Sequence, residues 1–277
     1  MATTLDRTAL AERWWTILSY TERPQELFDL FADRLLDRGG AFEDRLPHPG
    51  FVGRNYEKGG LLFLGMNPGN GPAGADPAQE PHYAGLRRLL EAPPPDRREA
   101  FESLMAFDEL WYPGIRIMEV VVGPVLEGVG KGFDGVAYLN VPKWRTQGSA
   151  NLGPLYRQSM ALHTLGQLEV LDLGLIVVLG VGLSRILDGI PDFQSRFGNR
   201  SMTVPRTIGD HRLDDKGKAA VTKAIRCSLG VNLEPEPLGV SPFAAPMAGL
   251  GVKRPTMGKD RADLNRDQSR LERTFQG

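Results

Sequence analysis

Leu61-Leu62-Phe63-Leu64-Gly65-Met66-Asn67-Pro68-Gly69 is the stretch from which the fold can be read. Four apolar residues run straight into a turn built from Gly, Asn and Pro. A short apolar run with that boundary predicts a fully buried strand ending in a tight turn. Gly65 and Gly69 let the backbone approach a bound group, and Pro68 stiffens the turn. Asn67 then stands at the carboxyl end of a central strand, where open α/β sheets place their ligands. Asn, Pro and Gly are also the commonest turn residues, so the motif gains meaning only from the rest of the chain.

Outward from this strand the chain alternates between two periodicities. Before it, Asp6 to about Leu36 reads as a helical pair broken at Arg23-Pro24, with Leu10, Trp14, Ile17 and Leu18 on one face. Residues 47–60 read as a loop. After it, a run of small and turn-forming residues leads to helices expected over Tyr83–Ala92, Arg97–Leu110 and Ile115–Val129. Val136–Val141 (VAYLNV) is the second strand and ends at Asn140. An amphipathic helix over Gly153–Leu171 feeds the most strand-like run, Leu173–Gly182, after which Leu183–Leu187 begins another helix. A fourth strand, Met202–Ile208, ends at Gly209, Asp210 and His211, and a last helix spans Lys216–Leu229. Strands alternating with helices predict a three-layer α/β/α sandwich around a central, mostly parallel four-stranded sheet. The expected organisation is a helical pair over 1–60 packed on the core, an α/β domain over 61–233, and a Pro/Gly-rich extended segment with a polar tail over 234–277.

Composition removes several classes of function. The 277 residues carry a formal charge of -1, so no global basic field advertises nucleic acid, although a local basic groove remains open. A single cysteine, Cys227, excludes a disulfide framework, a cysteine zinc site and a cysteine-ligated cluster, and it fits a reducing cytoplasm. No apolar run approaches the ~18 residues of a membrane span, so no membrane partner is expected. No His/Asp/Glu set has metal-ligand spacing. Neither metal nor cofactor is expected, and the chain reads as a cytoplasmic monomer.

The strand ends deposit Asn67, Asn140 and His211, and three chemistries use polar groups so placed. Gly180-Val181-Gly182 after a strand is only part of a dinucleotide fingerprint, and the first motif lacks the Gly-Lys-Ser/Thr of a phosphate loop. No nucleophile elbow is present, and Cys227 falls in a helix. Water attack on a bond with an anionic leaving group remains. It needs a group to position water and a donor to stabilise departing charge, for which Asn67 and His211 are suited.

LLFLGMNPG resembles the first motif of the uracil-DNA glycosylase superfamily, most closely its single-strand-selective monofunctional branch. VAYLN with its basic, Pro-containing turn resembles the strand whose Asn reads the flipped pyrimidine. LGLIVVLGVG resembles a later strand of the branch, and residues 209–226 resemble the second catalytic motif with its helix. The matches keep their order over residues 61–226. The resemblance implies that Asn67 orients the water attacking C1′ and that His211 stabilises charge on the O2 side of the leaving base. Asn140 would bond the Watson–Crick edge of the extruded base. Gly65, Met66, Pro68 and Gly69 would line the pocket, and Tyr83, or else Tyr56, would stack on the base. Lys143, Arg145, Arg212, Lys216 and Lys218 would hold DNA phosphates.

The family's usual His-Pro-Ser is here His211-Arg212-Leu213. Asp210 is therefore a candidate to orient His211 or to serve as a general base. The altered motif and the small-residue loop after Gly69 together suggest a bulky modified pyrimidine, such as those of some phage genomes. The expected function is thus a monofunctional DNA glycosylase in base excision, for repair or for antiviral defence. A catalytically inactive binder of modified or single-stranded DNA is the alternative, and a hydrolase of free nucleotides is a third reading. His48, His82 and His163 read as incidental, with His82 within reach of the DNA backbone, and Trp144 reads as a packing residue.

Overall fold

The computed structural model describes residues 5–19, 46–66, 68, 81–115, 117–144, 153–204 and 215–230. The chain divides into two units, Met1–Pro235 and Glu236–Gly277, and every described residue lies in the first.

Helix α1 (Arg7–Ser19) begins where the Asp6 carboxylate accepts the backbone N–H groups of Thr8 and Ala9, both at 3.0 Å. Such a cap satisfies donors that the first turn leaves open. The helix buries Leu10, Ala11, Trp14, Ile17 and Leu18, the face its spacing predicts. The second half of the expected helical pair lies outside the described residues. Residues 47–60 are more than a loop, because Phe51–Val52 forms strand β1. Strand β2 (Leu61–Gly65) is buried throughout. Helices α2 (Pro81–Glu91) and α3 (Arg97–Trp111) come next in the chain, and they pack on each other and on α1. A π-helical turn at Met118–Val122 leads into α4 (Gly123–Val129), with Pro124 in the opening turn where its missing N–H is not needed.

Strand β3 (Val136–Asn140) is also buried throughout. The single helix expected over Gly153–Leu171 is α5 (Gly153–Ser159) and α6 (Leu165–Leu171), joined by a π-helical turn at Met160–Thr164. Strand β4 (Leu175–Leu179) ends at Gly180, and α7 (Val181–Asp188) and α8 (Pro191–Phe197) precede β5 (Ser201–Val204). Helix α9 (Asp215–Ser228) packs on α4, where Arg226 donates to Gly128 O at 2.6 Å.

The sheet has five strands in the order β1-β3-β2-β4-β5, one more than expected. The extra strand is the two-residue β1, which pairs antiparallel with β3, while the other four are parallel. From β2 the chain moves to β3 on one side and then crosses to β4 on the other. The carboxyl end of β2 therefore sits where the winding direction changes, the position at which open α/β sheets form a crevice.

Segment 46–50 is pinned to this sheet from several directions. Trp14 Nε1 donates to Gly50 O at 2.9 Å, Gln167 Nε2 to Pro49 O at 2.7 Å, and His48 N to Lys143 O at 2.7 Å. Gly50 has φ +106°, and a Cβ there would lie 2.5 Å from Tyr138 O, so no larger residue fits. Trp14 is fully buried and meets Phe101 edge to face at 5.7 Å. Trp14→Ala removes this anchor and is expected to cost about 3–5 kcal/mol in a urea unfolding titration. A loss under about 1 kcal/mol would show that segment 46–50 is held without it.

Candidate active site at the carboxyl ends of β2 and β3

Gly65 and Asn140 are partners in the parallel register of β2 and β3, so the two predicted motifs emerge side by side. Side chains two residues apart on a strand share a face. Tyr138 accordingly stands beside Asn140, and its hydroxyl donates to Asn140 Oδ1 at 3.1 Å. That bond fixes the amide and directs Nδ2 away from Tyr138. Asn140 is 6 % exposed. Gly65 is what allows the pair to exist. A Cβ on Gly65 would stand 2.5 Å from both Asn140 Oδ1 and the Tyr138 hydroxyl.

The turn after β3 is held from below. Lys143 Nζ donates to Asn140 O at 2.6 Å, Thr164 Oγ1 to Val141 O at 2.9 Å, and Val141 N to Gly65 O at 3.1 Å. Thr164 reaches this turn from the π-helical segment Met160–Thr164. Burial, reinforced by the Arg13 guanidinium, pushes the Lys143 amine well below its ordinary value. Arg13 NH2 donates to His163 O at 2.8 Å. His163 itself is held down to about 3, first by burial and then by Lys143 and Arg13.

The structure corrects several sequence expectations here. Lys143 does not project towards DNA phosphates, since it is fully buried and bonded to the backbone of the turn it stabilises. Tyr83 offers no open face for a base. It is fully buried in the first turn of α2, lies edge-on to His48 at 5.2 Å, and shares a 2.9 Å hydrogen bond with His48 Nε2. Tyr56 is buried with its hydroxyl donating to Leu171 O at 3.3 Å, near the start of the strands rather than their ends. His82 is likewise buried and does not reach outward to a DNA backbone.

Met66 is half-buried against the core and Pro68 is buried, both directly beyond β2. Lys216 is exposed on the first turn of α9, and Lys218 pairs with Asp215 at 3.1 Å. Asn67, Gly69, Arg145, Asp210, His211 and Arg212 lie outside the described residues. Trp144 is buried and meets the His163 ring at 5.6 Å, a packing role as expected. Tyr138 is the residue the motifs do not single out. Its signal is its spacing, two positions before Asn140 on the same strand face. Among the described residues, no three His, Cys, Asp or Glu side chains are grouped to hold a metal ion. Nor is any described helix long and apolar enough to cross a membrane.

Compared with known proteins, the chain matches no family model and no curated protein.

The geometry can be probed at Gly65 and at His163. Gly65→Ala forces Tyr138 and Asn140 apart and is expected to lower stability by about 1–3 kcal/mol, the scale of a lost hydrogen bond plus side-chain strain. A structure of that variant with the Tyr138–Asn140 bond intact would contradict the steric account. His163 is neutral in the fold and takes up a proton on acid unfolding. Its depressed value therefore contributes stability that is present above about 6.5 and lost as pH falls towards about 3. The slope is at most ~1.4 kcal/mol per pH unit. Urea titrations between pH 7 and about 4 are expected to show a shallower decline for His163→Phe than for the natural protein. Equal slopes would remove His163 as the cause.

Proposed function

We propose that the chain is a monofunctional DNA glycosylase, which extrudes a damaged or modified pyrimidine and hydrolyses its N-glycosidic bond to leave an abasic site. The observation that carries this reading is the pairing of Gly65 with Asn140 at the switch point of a parallel sheet, with the Asn140 amide held by Tyr138. A fixed amide beside a side-chain-free strand end suits recognition of the edge of a flat base. The order of sequence motifs supplies the rest.

In this reading Asn67, the second residue beyond Gly65, orients water towards C1′ of the deoxyribose. His211, with Asp210 as its orienter or as a general base, meets the charge that collects on the departing base. The bond breaks through an oxocarbenium-like state, so most of the help is electrostatic. Asn140 holds the extruded base through its amide. Lys216, Lys218, Arg145 and Arg212 are the proposed phosphate contacts, and Lys143 is replaced in that role by a structural one. The small residues after Gly69 favour a bulky modified base, which would place the enzyme in defence against phage DNA as readily as in repair.

The decisive assay incubates the protein with uracil-containing oligonucleotides and with hypermodified phage DNA, then measures abasic sites. Abasic product is expected from at least one substrate, and Asn67→Ala is expected to reduce its rate by roughly 10²–10³-fold, as for loss of one preorganised catalytic group. No product from any substrate sinks the enzyme reading. Binding and biological effect that both survive Asn67→Ala unchanged identify a DNA-binding module instead. Borohydride is expected to trap no covalent adduct, because neither motif carries a lysine nucleophile. Trapping one would overturn the monofunctional assignment.

A further inference from the structure

Four buried polar side chains outside the strand-end motifs form one connected chain. Asp108 on α3 meets His82 Nδ1 through Oδ1 at 2.6 Å. His82 Nε2 lies 3.2 Å from His48 Nδ1, and His48 Nε2 lies 2.9 Å from the Tyr83 hydroxyl. None of the four is more than 5 % exposed. His82 is stacked on Trp111 at 4.7 Å, which fixes its ring plane, and the two imidazole planes differ by only 10°.

Burial pushes the Asp108 carboxyl up and the bond to His82 holds it down, and in its ionised form Asp108 orders every proton in this chain. A carboxylate only accepts, so a neutral His82 would carry its proton on Nδ1 and leave Nε2 as an acceptor. His48 must then donate from Nδ1, and its Nε2 in turn accepts the Tyr83 hydroxyl proton. In that arrangement each ring carries its proton on Nδ1. The arrangement is not the one stability alone would favour. Asp108 Oδ2 is buried with no hydrogen-bond partner, and no lysine or arginine is paired with Asp108 among the described residues. A buried carboxylate left half-satisfied costs free energy that an apolar side chain of similar size would not.

What the chain holds in place is the carboxyl end of β3. His48 N donates to Lys143 O at 2.7 Å, and Lys143 Nζ donates to Asn140 O at 2.6 Å. Hydrogen bonds, joined through the covalent frames of His48 and Lys143, thus connect Asp108 on α3 and His82 on α2 to the backbone of Asn140. Tyr83, on the first turn of α2, is tied to the same point.

We propose that Asp108, His82 and His48 are positioning residues of the strand-end site: they lock the opening turn of α2 and the Asn140–Lys143 turn into one frame, and so set the Asn140 amide for the base. The proposal rests on the glycosylase reading, and two measurements keep its failure separate from the failure of that reading. The first needs no substrate. Nitrogen-15 imidazole spectra of the natural full chain at neutral pH are expected to show His48 and His82 both as Nδ1–H tautomers. A proton on Nε2 of either ring means that Asp108 does not order the chain, and overturns the proposal.

The second uses the oligonucleotide that yields abasic sites. Asp108→Asn is expected to slow single-turnover base release by roughly 10–100-fold, the usual scale for losing an orienting partner, with affinity for abasic product DNA within about twofold. Adding His48→Gln to Asp108→Asn is expected to give little further loss, because members of one network are not additive. An undiminished rate in Asp108→Asn, a loss confined to DNA affinity, or losses that multiply in the double variant would each overturn it. If the natural protein releases no base from any DNA, the glycosylase reading and the positioning role fall together, while the tautomers still decide whether the hydrogen-bonded chain exists. If Asp108→Asn does not fold, the tautomer spectra remain the deciding measurement.

Discussion

The parallel pairing of β2 with β3 runs from Leu61↔Val136 to Gly65↔Asn140, and the candidate site depends on that register. Side chains alternate across a strand, so a slip of one residue would carry Tyr138 and Asn140 to the opposite face. It would also bring a side chain against them where Gly65 now leaves room. The register is enforced by burial, since every residue of both strands is buried and lies against the core. The hydrophobic effect thereby places Gly65 and Asn140, the last residues of the two strands, side by side.

Around that pairing the protein uses buried polar groups as braces. Lys143, Thr164 and His48 each bond to backbone in or beside the turn after β3, and Trp14 and Gln167 hold the segment that carries His48. Each hydrogen bond of this kind contributes on the order of 1 kcal/mol net, and leaving one unmade costs more. Their value lies in geometry more than in stability. The opposing elements come from residues far apart in the chain, so the turn at Asn140 is held by several separate segments.

The main elements were legible because the forces behind them are local. Leu61–Leu64 and Leu175–Leu179 are apolar runs ended by glycine, and α1 shows a clean 3.6-residue stripe. Strand β1 was not legible, because two residues carry no periodicity and its pairing with β3 is set by contacts along the whole 46–50 segment. The π-helical turn at Met160–Thr164 was hidden for a similar reason, since one widened turn carries no periodicity of its own. At the site, Asn140 could be picked out as a polar residue ending an apolar strand. Lys143 and Tyr83 could not be placed, because a lysine after a strand end and a tyrosine at a helix start look the same in sequence whether they face solvent or a buried partner. The bond of Lys143 back to Asn140 O, three residues away, and the long-range bond of Tyr83 to His48 distinguish the two cases. His48, His82 and Asp108 belong to no motif and sit on three separate segments, so their connection emerges only when α2, α3 and the 46–50 segment are packed together.

The most direct test of the proposed site is a crystal structure of the protein with an abasic oligonucleotide and the released base. The base is expected at the carboxyl ends of β2 and β3, with one edge within roughly 3.2 Å of the Asn140 amide and Asn67 facing the sugar carbon. A base bound elsewhere, or one that leaves the Asn140 amide without contact, would contradict the assignment.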